Sequence, residues 1–96
     1  MSHSADQERI ESHVDIIRTY LHSQFPHDTL TEAVAVNEYY IFIANNVELD
    51  KSYKLMVDGR RLSGMGTTPA KIQADLATDD VARRMMEADG DYFYWE

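Results

Sequence analysis

The sequence predicts an α+β two-layer sandwich. It comprises an N-terminal helix, a three- to four-stranded antiparallel sheet, one kinked or two short C-terminal helices, and a short aromatic C-terminal strand. Three observations predict it. Apolar residues near the N-terminus recur with the helical period, those in the middle are β-branched or aromatic and lie between turn signals, and a helical pattern returns before a run of four aromatics. Helical segments flanking a block of strands fit helices segregated to one face of an antiparallel sheet.

The first helix opens on Ser4, with Gln7 three residues on, the spacing of a capping box. Asp6 and Glu8 lie in the first turn, where the helix dipole favours anions. Ile10, Val14, Ile17 and Leu21 share one face, and His13, Ile16 and Tyr20 widen it to an arc of roughly 160°. The helix is expected to stop near Gln24, because Pro26 disfavours helical geometry at Phe25. Val34, Val36 and the run Tyr39 to Ile43 then read as strand, with Asn37-Glu38 either a tight turn, a bulge or an exposed stretch of one long strand. Asn45-Asn46 ends this segment. Tyr53 to Val57 is a further strand, Asp58-Gly59 carries a hairpin signal, and Arg60 to Leu62 would return antiparallel. Thr68 before Pro69 reads as an N-cap with proline at the first helical position. Ile72 and Leu76 give that helix a narrow apolar face. The phase slips at Thr78-Asp79-Asp80, with Thr78 a candidate second cap, before Val81, Met85 and Ala88. Gly90 marks a stop, and Tyr92 to Trp95 form the last strand.

The phrase from Ile17 through Tyr20-Leu21 to Phe25-Pro26, followed by strands, resembles the opening of BolA-like proteins. The resemblance covers about a quarter of the chain. That family's later helix-turn-helix-like segment has no match here, so no function is carried over.

Composition bounds the rest. The 96 residues form one domain, 1–96, with room for one modest core. Nine basic and 17 acidic residues leave a net charge of −8, which argues against a general nucleic-acid or anionic-membrane binder. The charge is uneven: residues 1–30 carry 2 basic and 5 acidic side chains, residues 31–66 carry 4 and 5, and residues 67–96 carry 3 and 7. The absence of cysteine excludes disulfides, zinc-thiolate sites and thiol catalysis. No secretory signal or apolar membrane span is visible, so a cytoplasmic protein is expected.

Chemistry-bearing patterns are weak. The four histidines lie in the first 27 residues, and His13 and His22 are about 900° apart around a helix, on opposite faces. No metal, cofactor or catalytic constellation emerges, and an enzyme is not expected. Gly64 to Thr68 precedes a helix N-terminus but lacks the lysine of a phosphate-binding loop. Arg60-Arg61 and Arg83-Arg84 are the doubled cations, and on a strand Arg60 and Arg61 would point to opposite faces.

Two features point to partners. Glu8, Glu11 and Asp15 share a polar helix face with Arg18 and His22. Tyr92, Phe93, Tyr94 and Trp95 form an aromatic tail whose strand geometry would send Tyr92 and Tyr94 to one face and Phe93 and Trp95 to the other. The tail either docks within its own chain or adds a role at an interface. The expectation is a small acidic interaction module and a homodimer, motivated by the wide apolar arc of the first helix and the aromatic tail. One alternative is an acidic inhibitor or immunity-type protein that mimics phosphates and blocks a basic nucleic-acid-binding partner. The other is a small-anion sensor using the glycine loop.

Overall fold

The computed structural model describes residues 3–35, 38–64 and 66–95. The side chains at 3–7 and 35 lie outside that description, and with them the expected Ser4–Gln7 capping box; Val36, Asn37 and Met65 also lie outside the described residues. The elements are α1 (His3–Gln24), β1 (Thr29–Ala35), β2 (Tyr39–Asn46), β3 (Lys51–Asp58), α2 (Gly59–Ser63), α3 (Pro69–Thr78), α4 (Val81–Ala88) and β4 (Tyr92–Trp95).

The apolar arc of α1 faces inward. Val14, Ile17 and Leu21 are buried, while Ile10, Ile16 and Tyr20 pack half-buried around them. His13 is 0% exposed: its Nδ1–H donates to the Leu62 carbonyl at 2.7 Å. The helix ends at Gln24, and Phe25 is buried against Tyr53 with ring centroids 5.5 Å apart. The Arg18 guanidinium crosses from α1 to β1, donating to both Glu32 oxygens at 2.6 and 2.8 Å, and also binds Asp15 one turn back.

The sheet order is β1-β2-β3-β4. The first three strands form the expected antiparallel meander. Glu32 lies opposite Phe42, and Phe42 opposite Leu55. Of the Asn37-Glu38 pair only Glu38 is among the described residues; it precedes β2 and adopts φ 63, a left-handed conformation. The fourth strand pairs parallel with β3, Leu55 beside Phe93, so the sheet is mixed rather than wholly antiparallel. Parallel neighbours need a long crossover, and α2, α3 and α4 supply it.

Asp58-Gly59 is not a hairpin turn. Asp58 caps α2 instead, its Oδ1 accepting from the Arg60 amide at 2.9 Å, and the return strand expected over Arg60 to Leu62 is helical. Asp-Gly suits either role; here the glycine is needed for close approach. The Gly59 N–H donates to the Glu38 carbonyl at 2.9 Å, and a Cβ at Gly59 would stand 2.3 Å from that oxygen.

Thr68 caps α3 as expected, accepting from the Lys71 amide at 3.1 Å, with Pro69 the first helical residue. The second of the two short helices is not capped by Thr78. The chain turns through Asp80 at φ 51, Asp80 makes no side-chain cap bond, and the Ala82 N–H donates to the Tyr20 hydroxyl at 3.0 Å. An α1 side chain thus replaces a local cap. α4 stops at Asp89, φ 47, followed by Gly90, φ 98.

One core results. Phe42, Ala44, Leu55, Val57 and Trp95 from the sheet meet α1, Leu62, Ile72, Leu76 and the α4 residues Val81, Ala82 and Met85. Each fully buried aliphatic side chain contributes about 1.5–3 kcal/mol relative to exposure.

Candidate interaction face

Every sheet residue in that core points to one side. Successive strand residues alternate between faces, and Phe42, Ala44, Leu55, Val57 and Trp95 share a parity through the register. No helix residue of the core has its partner on the other side. The register sets out what that bare side carries: Ala33, Ile41, Met56 and Tyr94 in one row, and Thr31, Ile43, Lys54 and Tyr92 in the next. Ile41, Ile43 and Met56 are half-buried, and Tyr94 is 55% exposed. The Lys54 ammonium lies 5.2 Å from the Tyr92 ring centroid, and the Tyr92 and Tyr94 rings are 6.4 Å apart. Among the described strand residues of this parity, the ionisable carboxylates and amines are those of Lys54 and Asp58, and Asp58 is tied to Arg60 at 2.6 Å. The acidic excess of the chain lies elsewhere.

The aromatic tail divides as strand geometry requires. Tyr92 and Tyr94 join the bare face. Phe93 and Trp95 turn to the helix side, where Phe93 is half-buried near the Arg84 guanidinium. Trp95 is 3% exposed, its Nε1–H donates to Asp79 Oδ2 at 2.8 Å, and the Arg61 guanidinium stacks 4.0 Å above its ring. Arg61 also reaches Asp75 at 3.2 Å. Trp95 therefore anchors β4 within its own chain.

Glu8, Glu11 and Asp15 are exposed on α1, on the helix side of the sheet and beside β1. Tyr92 and Tyr94 lie on β4, at the opposite edge and on the other face. The structure does not bring the two expected groups together. Ile41, Ile43 and Met56 were not singled out in the sequence. The signal was present: Tyr39 to Ala44 is apolar at both parities, so with helices on one side only, one parity must face outward.

Electrostatics elsewhere is local. The Arg18 guanidinium hydrogen-bonded to Glu32 holds that carboxyl below its ordinary value, and Arg60 does the same to Asp58 through its side chain and amide. In the loop at 64–68, the Gly64 and Thr67 amides bond within the loop region, to Arg60 and Gly64 carbonyls at 3.0 Å each, and Thr68 already serves the α3 terminus. Among the described residues no helix is long and apolar enough to cross a membrane. Comparison with family models, with curated proteins and with solved structures finds no match to the chain.

Proposed function

We propose that this protein is a cytoplasmic interaction module that pairs with a second copy of itself through the bare face of its sheet. The carrying observation is the uncovered row Ile41, Met56, Tyr94 with Ile43 and Tyr92 beside it. A sheet with helices on one side only presents a ready surface for sheet-on-sheet packing, with two such faces ~10 Å apart. Charge supports a like partner. Lys54 and the paired Asp58 leave this face nearly neutral, so two copies of a chain of charge −8 can meet here without opposing their acidic surfaces. Four strands at ~4.8 Å spacing and about five residues at ~3.3 Å rise give a face of roughly 320 Å² per partner. That is well below the ~800 Å² per partner of a standard interface, so a weak dimer is expected, with a dissociation constant of roughly tens of micromolar.

Sedimentation velocity over a concentration series tests this. Wild type should dimerise in the micromolar range, and Tyr94→Glu with Met56→Glu should be monomeric with an unchanged far-UV spectrum. A wild-type monomer at high micromolar concentration rejects the reading.

The alternative of an acidic, phosphate-mimicking inhibitor draws on the exposed Glu8, Glu11 and Asp15. Arg18 sits in their midst bound to Asp15 and Glu32, which breaks the even spacing of negative charge that mimicry needs. It is the weaker reading.

A further inference from the structure

The bare face is not the only unfinished part of the sheet. Among the described residues β1 is an edge strand, with β2 on one side and no strand on the other. In an antiparallel pair, alternate residues direct their N–H and C=O groups away from the partner. Over the seven residues Thr29–Ala35 that leaves a row of outward backbone groups, and among the described residues no backbone hydrogen bond from another element meets them. Edges are usually blunted by shortness, bulges, proline or lysine. β4 is blunted by its length of four residues. β1 has none of these: its register against β2 runs without a break from Thr29 to Ala35, and it contains neither proline nor lysine. Its one charge, Glu32, is neutralised by Arg18.

Beside this edge, on the helix side, a cavity of about 150 Å³ opens between α1 and β1. Val14, Tyr40 and Phe42 form its apolar floor, and Glu11, Arg18 and Glu32 its polar wall. Val34, on the same wall, is 67% exposed. On the α1 rim Glu11 lines the cavity, and Glu8 and Asp15 are exposed on the same polar helix face.

We propose that the β1 edge binds an extended, basic peptide segment of another protein as a fifth strand. Backbone hydrogen bonds to the outward groups of β1 supply the affinity. Alternate side chains fall on the helix side, where an arginine or lysine stem lies along Val34 and the cavity floor while its cationic head meets Glu11 and the α1 rim. The same charge argues against a second copy at this edge. A two-fold β1–β1 pairing would bring the two acidic α1 faces together. This site is independent of the bare face: a dimer formed through that face leaves the β1 edge open, so either reading can fail without the other.

The probe is a fluorescein-labelled peptide of sequence Thr-Val-Arg-Val-Lys-Val-Thr, titrated against the full chain by anisotropy. Amide hydrogen exchange by NMR reads which backbone groups are covered. Binding in the micromolar range is expected, with added protection at every second amide of 29–35. A peptide N-methylated at alternate residues, which removes its edge donors, should bind about tenfold more weakly or worse. Glu11→Lys and Val34→Lys, both at exposed positions, should each weaken binding about threefold or more with the far-UV spectrum unchanged. Absence of binding at millimolar peptide overturns the proposal. So does binding that the N-methylated peptide matches, or that leaves the β1 amides unprotected, since either result means diffuse attraction to an acidic chain.

Discussion

Replacing Trp95 by alanine tests whether the aromatic tail is an anchor or an ornament. Trp95 is almost fully buried, its indole N–H is bonded to Asp79 at 2.8 Å, and Arg61 lies 4.0 Å above its ring. Truncating a buried aromatic costs about 3–5 kcal/mol. The lost hydrogen bond adds only ~0.5–1 kcal/mol, because Asp79 is partly exposed and regains water. The lost stacking on Arg61 adds ~0.5–1 kcal/mol. The total, about 4–7 kcal/mol, is a large share of the ~5–15 kcal/mol that holds a domain of this kind together. With a urea slope of ~1.5 kcal/mol/M, the midpoint should fall by about 3–5 M, read by far-UV circular dichroism because the substitution removes the only tryptophan. Trp95→Phe, which keeps most of the burial, should fall between the two. A midpoint shift below about 1 M in the alanine variant would refute the anchoring role. So would native tryptophan emission at the wavelength of a solvated indole.

Two further outcomes follow from the geometry. Gly59→Ala places a methyl 2.3 Å from the Glu38 carbonyl and strains the bond that joins them; a loss of roughly 2–4 kcal/mol in urea unfolding is expected, and a neutral result would mean that α2 is free to shift. Asp58, held below its ordinary value of 3.8 by Arg60, is deprotonated more readily when folded than when unfolded. Its contribution to stability is therefore complete above that value and is lost as pH falls from there toward the folded-state value. Asp58→Asn should consequently show a smaller drop in melting temperature between about pH 5 and about pH 3 than wild type, and equal drops would remove Asp58 from the acid response.

What was legible in the sequence is what local periodicity determines. The α1 arc, the stop at Gln24, the Thr68-Pro69 start and the alternation of the tail all follow from spacing within one element, and all are present. What was not legible depends on partners distant in the chain. His13 read as the edge of an arc, yet it is fully buried because a carbonyl 49 residues away meets its ring. Asp58-Gly59 carries the same letters for a hairpin as for a helix start, and the decision rests on Glu38 accepting the Gly59 amide. The Tyr20 hydroxyl takes the place of a cap on α4, 62 residues on. The candidate site was half visible. Tyr92 and Tyr94 could be named from the tail, but Ile41, Ile43 and Met56 become surface only once every helix is seen to lie on the other side.

The parallel pairing of β4 makes the second edge of the sheet conditional. The chain crosses three helices before β4 meets β3, and β4 covers only Lys54 to Val57 of the eight residues Lys51–Asp58. Contacts of such long sequence separation are slow to form. When β4 lifts away, Trp95 leaves the core and a central strand becomes an edge. A neighbouring molecule's detached β4 is the segment best matched to fill that vacancy. Partial opening of this domain therefore leads toward strand exchange between copies, and whatever strengthens the Trp95 anchor guards against it.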